Sequence, residues 1–288
     1  MVRIIGVLTG LFFTVTVLWA LVTGVGPAFS TLASVGSFVE PTAEHEFHKN
    51  PEDLHLASDG LFGSWDKQQL QRGMQVYSEV CAACHSLRQV AFRNLTDLGY
   101  NEAQVKAFAA TKQVPGIDPV TGEATTRPGT PTDYFPSPFP NDVAARAANN
   151  NAIPPDLSLI TKARHDGSAY LYSLLIGYQE PPAELLEQFP DAAPGPGLYF
   201  NPYFPNLNLA MAPPLSEGIV TYADGTEATV DQMAQDVAAF LTWTAEPTLV
   251  KRKQTGWPAV LFVLFATILA YFAKQQVWAP IKPKRRKD

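Results

Sequence analysis

Two long apolar stretches frame the chain. Ile4 to Val25 runs for 22 residues without a charge, and Trp257 to Ala273 for 17. At 1.5 Å per residue, helices over them would span ~33 Å and ~26 Å, against a hydrocarbon core of about 30 Å. Lys251-Arg252-Lys253 precede the second stretch and Lys274 follows it. Carrying the helix on to Val277 and Trp278 lengthens it, with Lys274 snorkelling and two Trp at the interfaces. The second stretch therefore predicts a C-terminal transmembrane helix, the bland alternative being a buried core helix. The first stretch admits two readings. Small residues at Gly26-Pro27-Ala28 or Thr31-Leu32-Ala33 would suit a cleaved signal peptide, but the run exceeds the usual h-region of about 7–15 residues and no clean Ala-x-Ala follows. A retained anchor accounts for it equally. The division expected is 1–30 signal or anchor, 31–250 exported domain, and 251–288 transmembrane helix with a basic cytoplasmic tail, the orientation that positive charge prefers.

Between the anchors the helical period is intermittent. Asp66 to Val80 carries it in Leu70, Met74, Tyr77 and Val80. Asn101 opens a second helix to about Gln113, a third covers Asp142 to Asn149, and a fourth covers Ser168 to Gly177. Thr229 to Thr244 is the clearest amphipathic stretch, with Val230, Met233, Val237, Phe240 and Leu241 on one face. Residues 114–142 hold seven prolines and three glycines in 29 positions and predict an inserted loop. Pro181 to Pro205 predicts another irregular segment. Strand signal is confined to a hairpin over Ile219–Thr229, with Asp224-Gly225 at its turn. The fold class is mostly α, with long Pro/Gly-rich insertions.

Composition narrows the class. With 46% hydrophobic and 17% charged residues, the chain is neither disordered nor fibrous, and two cysteines in 288 residues exclude a disulfide scaffold. The net charge of −6 conceals a division: residues 31–250 carry 11 basic against 26 acidic side chains, a net of −15. Such a domain is a poor ligand for nucleic acid; a basic partner, or simple solubility, accounts for the charge better.

The chemistry lies in Cys81-Ala82-Ala83-Cys84-His85. C-x-x-C-H reads as covalent attachment of one c-type haem: two thiols add across the vinyl groups, and the adjacent imidazole faces the iron. A thioredoxin-like dithiol would want a βαβ setting, and a structural zinc site a further cluster of ligands. Neither is present in the pattern.

Gln71 through Ser86 resembles the cytochrome c1 family, the haem-carrying subunits of quinol:cytochrome c oxidoreductase, also called the cytochrome bc1 complex. So do Arg146-Ala-Ala-Asn-Asn150, Pro154-Pro-Asp-Leu-Ser158, Ala163-Arg164-His165, Gly177-Tyr178, Tyr199-Phe-Asn-Pro-Tyr-Phe-Pro205 and Ala210-Met211-Ala212-Pro213-Pro214. The matches keep the family's order from about Phe62 to Ala279. The resemblance implies a class I cytochrome c-like haem domain and electron transfer from the Rieske iron–sulfur protein to a basic cytochrome c. It further implies cytochrome b as neighbour, a dimeric complex, and a bacterial inner membrane with the haem domain on the periplasmic side. The alternatives are a membrane-tethered cytochrome c serving an oxidase and a haem enzyme with an open iron site.

His85 supplies one axial ligand. For the other, Met1 is terminal, and Met74 and Met233 lie on helices where core packing is expected. Met211 sits in an irregular, proline-flanked stretch and matches the family's axial ligand; His165 is the rival. Met/His ligation raises the reduction potential relative to bis-His and closes the iron to oxygen chemistry. By resemblance, Arg164 and Tyr170 would contact a haem propionate and Pro155 would pack on the haem face. A surface ion pair is the alternative for Arg164. His45, His48 and His55 are expected in solvent.

Overall fold

The computed structural model describes residues 2–35 and 41–281, with side chains described over 3–30 and 41–281. The basic tail and the side chains of Thr31-Leu32-Ala33 lie outside these. The described chain is mostly helical. An N-terminal helix, α1 (Val2–Val35), precedes the short α2 (Ala43–Phe47) and then α3 (Lys67–Glu79). Asp66 caps α3, its carboxylate accepting from the Gln68 and Gln69 amides at 3.0 and 3.1 Å. The 3-10 turn Cys81–Ala83 follows directly, then a 3-10 helix at Phe92–Leu98. Asn101 and Gln104 form a reciprocal capping box at the start of α4 (Glu102–Ala110). That helix stops short of the expected Gln113, which instead opens a strand.

The stretch expected to be loop holds an antiparallel ribbon, β1 (Gln113–Ile117) and β2 (Ala124–Pro128), in register from Gln113↔Pro128 to Ile117↔Ala124. In a two-stranded ribbon both strands are edges, so Pro115 and Pro128 can turn their missing N–H outward. Next come α5 (Asp142–Ala148), α6 (Ile160–Ala163) and α7 (Gly167–Ile176). The second expected irregular segment contains α8 (Ala183–Gln188), a 3-10 turn at Pro190–Ala192 and the strand β3 (Tyr199–Phe200), which pairs with β4 (Asn208–Leu209). Pro181-Pro182 sits just ahead of α8, where proline starts a helix instead of breaking one. The expected hairpin at 219–229 does not form. Its turn is present, with Gly225 at φ 79°, but Val220 and Tyr222 are buried in the core and α3 takes the Thr221 carbonyl through Gln75 Nε2 at 2.9 Å. Thr229 then caps α9 (Val230–Ala245), which leads into α10 (Leu249–Trp278).

The core is built where α3 crosses α9. Gly73 permits the contact, because a Cβ there would lie 2.0 Å from the Asp236 carbonyl oxygen. Leu70, Met74 and Tyr77 meet Met233, Val237, Phe240 and Trp243, with the Tyr77 and Phe240 rings 5.9 Å apart. Beside this apolar seam the Asp236 carboxylate is sealed from solvent. It accepts from Arg72 Nε at 2.9 Å and Gln232 Nε2 at 2.9 Å, and Arg72 also reaches Asp224 at 2.9 Å.

α1 and α10 are each long and apolar enough to cross a membrane, with mean hydropathies of 2.2 and 1.9 over their spans. No residue of either apolar window is buried. These two helices support anchoring to a membrane.

Removing Arg72 would leave a buried carboxylate short of its counter-charge. Arg72→Met should cost about 3–5 kcal/mol, whereas Arg72→Met with Asp236→Leu should recover most of it. Urea unfolding of the two variants checks this, and equal losses in both would contradict it.

Candidate functional site

The last turn of α3 delivers the cysteines. At the Cys81–Ala83 turn the amides of Cys84 and His85 both point back to the Cys81 carbonyl, at 3.1 and 2.8 Å. This tight turn brings both thiols and the imidazole together: Cys81 is half-buried, Cys84 exposed, His85 half-buried. Burial pushes the Cys81 thiol up to about 12, with Cys84 beside it adding to the effect. From the α3 side, Tyr77 donates its hydroxyl to the His85 carbonyl at 2.9 Å.

The histidine is aimed by an irregular strap, residues 154–158. His85 Nδ1 lies 2.8 Å from the Pro155 carbonyl oxygen. A carbonyl only accepts, so Nδ1 carries the proton and Nε2 of the neutral ring keeps its lone pair. Burial pushes the imidazole's pKa below its ordinary value, against the pull of the Pro155 carbonyl and Asp156. A neutral, oriented imidazole with a free Nε2 is what an axial metal ligand requires. Pro155 therefore enters through its backbone.

Asp156 fastens the strap. Its carboxylate accepts from Ser86 Oγ at 2.7 Å, the Arg88 amide at 2.9 Å and the Ser158 amide at 3.0 Å. The Leu157 amide reaches the Ser86 carbonyl at 2.9 Å, and Ser158 Oγ takes the Gln89 amide at 3.1 Å. Burial alone would raise the Asp156 pKa, but these donors outweigh it and hold it below the usual carboxylate value. Sequence reasoning assigned Asp156 no role. An Asp two residues before a Ser was the available signal, since it forms an Asx turn.

A second group gathers around Met211. The methionine follows β4 in irregular chain and is half-buried. Its carbonyl accepts the Tyr178 hydroxyl at 3.0 Å. Burial raises the Tyr178 pKa, and the nearby Tyr170 and Tyr199 hydroxyls raise it further. Tyr170 lies near Arg164, whose charge pulls its pKa down, while burial outweighs that pull and raises it. Arg164 is exposed and pairs with no carboxylate among the described residues, so the alternative of a surface ion pair is not what the chain builds. It is available to an anion. The Met211 segment is located by Asn201, buried, which donates to the Leu174 carbonyl of α7 at 2.8 Å. Gly177 lets Tyr203 lie against α7, since a Cβ there would meet the ring at 2.4 Å. The strap runs on through α6 to Arg164, so the two groups are joined along the chain.

The other candidate ligands sit elsewhere. Met74 and Met233 are buried in the α3–α9 seam. His165 is solvent-exposed and bonded to Asp166 at 2.9 Å, which raises its pKa. His45, His48 and His55 are exposed.

Residues 56–281 match the model of the Cytochrome C1 family. The chain belongs to that family. It is 48% identical over 232 residues to the cytochrome c1 of Rhodospirillum rubrum, covering 77% of this chain and 85% of that protein. It is 44% identical to the mitochondrial cytochrome c1 heme protein of Saccharomyces cerevisiae, covering 84% and 76%. To the cytochrome b/c1 of Bradyrhizobium diazoefficiens it is 46% identical, over 76% of this chain and 34% of that longer protein. The family is the electron-carrying subunit of the cytochrome bc1 complex, and the chain acts as a carrier within that enzyme. Its closely spaced cysteine pair agrees with attachment of a c-type haem.

Because the folded Asp156 has a depressed pKa, its stabilisation is present above the unfolded value near ~4 and is lost as pH falls through the lower folded value. Asp156→Asn should lower stability by about 1–2 kcal/mol at pH 7. The gap to wild type should narrow on acidification towards pH 3, as read by thermal unfolding at several pH values. A gap that does not depend on pH would contradict the assignment.

Proposed function

We propose that the chain takes electrons from a Rieske iron–sulfur protein and passes them to a basic cytochrome c, using one covalently attached haem c. The observation that carries this reading is the His85 Nδ1 to Pro155 carbonyl bond within a C-x-x-C-H turn, which leaves Nε2 free as a donor. The haem supplies a one-electron iron couple. Cys81 and Cys84 would hold it covalently, and His85 and Met211 would donate to its iron. The residues fit such a group: one half-buried and one exposed thiol, a neutral imidazole of defined tautomer, and an exposed Arg164 near Tyr170, suited to a propionate. A Met/His donor set favours a high potential, as an acceptor from a high-potential donor needs.

The remaining roles follow from position. Tyr77 and the 154–158 strap hold His85 from two sides, and Tyr178 holds the Met211 backbone. The α3–α9 crossing supports a class I cytochrome c-like domain, with the ribbon at 113–128 and the segment around α8 as insertions. We assign 31–250 to the periplasmic side of a bacterial inner membrane, 251–288 to the anchor and its cytoplasmic tail, and 1–30 to a signal or second anchor. Cytochrome b is the expected membrane neighbour, in a dimeric complex. The net −15 of residues 31–250 suits docking of a basic cytochrome c.

Met211→Leu keeps side-chain volume and isolates ligation from packing. It should retain covalent haem, bind carbon monoxide and lower the potential by several steps of about 59 mV, each a tenfold change for a one-electron couple. Redox titration and the ligand-field spectrum check this. A wild-type potential and spectrum in Met211→Leu, with a shift in His165→Ala, would move the ligand to His165.

A further inference from the structure

One apolar feature lies outside both the core and the haem site. Leu61 and Phe62 are 59% and 77% exposed at the tip of a tight loop. The loop is closed by the Ser64 amide on the Ala57 carbonyl at 2.8 Å and the Asp59 amide on the Leu56 carbonyl at 2.9 Å. Gly60 takes a left-handed φ of 70°, and Gly63 approaches the Asp59 carbonyl so closely that a Cβ would lie 2.4 Å from it. The turn is tightly closed, and it holds two large apolar side chains outward.

It is also fixed to the start of α10. The Phe62 ring packs edge-on against Trp257, centroids 5.9 Å apart. Lys253 Nζ donates to the Ser58 carbonyl at 3.1 Å, and Trp65 Nε1 to the Pro247 carbonyl at 3.3 Å. Lys253 is the last charge before the apolar run and Trp257 its first aromatic residue. Trp257 is four positions further on, about 6 Å along the axis. The loop tip is therefore held at the level where α10 passes from charged to apolar.

We propose that the Leu61–Phe62 loop is a second membrane contact, seated in the bilayer interface beside Trp257 and fixing the attitude of the head above the lipid. This rests on the reading of α10 as a membrane span. The occupant is lipid because the patch is continuous with the lipid-facing surface of α10, and because Lys251-Arg252-Lys253 stand one turn above it at headgroup height. Trp257 suits that depth, where amphipathic aromatic rings gather, and lipid there removes the apolar surface of Leu61 and Phe62 from water.

The test places a nitroxide at Leu61→Cys or Phe62→Cys in the holoprotein, assembled in its complex in lipid nanodiscs. Collision with oxygen, which enters lipid, is compared with collision with a water-soluble nickel chelate. Val120→Cys, at the exposed tip of the β1–β2 ribbon, marks water, and Leu264→Cys, within α10, marks the bilayer interior. The loop labels should show an oxygen-to-nickel ratio several-fold above that of Val120→Cys and below that of Leu264→Cys. The Leu61 site leaves the Phe62–Trp257 contact intact, so a packing defect at Phe62 does not decide the result. Loop labels matching Val120→Cys while Leu264→Cys stays deep would overturn the loop proposal alone. Labels shielded from both reagents would mean that a protein subunit covers the loop, and would overturn it too. A nickel-accessible Leu264→Cys would remove the membrane reading of α10 and the loop contact with it.

Discussion

Everything in the head depends on two backbones being allowed to touch. Gly73 has no side chain where α3 crosses α9, and any Cβ there would strike the Asp236 carbonyl. Once the helices meet at that separation, Tyr77, Phe240 and Trp243 pack around the crossing, and the Asp236 carboxylate is carried out of water. Burying a charge is costly unless it is paired and hydrogen-bonded. Arg72, one residue before the glycine, meets that need, so the close approach and its electrostatic remedy are adjacent in sequence.

The same crossing locates the chemistry. α3 ends directly in the Cys81–Ala83 turn, so the position of the thiols is inherited from the α3–α9 seam. Tyr77 belongs to both: its ring packs on Phe240 while its hydroxyl holds the His85 carbonyl. The other side of the site is supplied by chain with little regular structure. There, side chains do the work that helices do elsewhere: Asp156 for the 154–158 strap, Asn201 and Tyr178 for the segment bearing Met211.

The junction with the membrane repeats the pattern at a third place. Glu246, at the end of α9, receives Lys162 of α6 at 3.2 Å and Arg252 of α10. Trp65 and Lys253 tie the approach to α3 onto the same corner. The head is thus braced on α10 through contacts from several segments, instead of hanging from a single linker.

What the sequence determined by itself was the set of features with short-range causes. Asp66, Asn101 and Thr229 announce helices because a capping side chain bonds amides two or three residues away. The 3.6-residue period of α9, the charge-free run of α10 and the spacing of Cys81, Cys84 and His85 are equally local. Other features were decided only in three dimensions, because their causes lie at long range. Pro115 and Pro128 could enter a ribbon because each strand's outer edge faces solvent, which no composition count reveals. The 219–229 segment keeps its Asp224-Gly225 turn but forgoes a ladder, since α3 claims the Thr221 carbonyl and the core claims Val220 and Tyr222. The proton on His85 Nδ1 is set by a carbonyl 70 residues away. Hydrogen bonds between distant segments leave no periodic trace in a sequence, and these bonds finish the site.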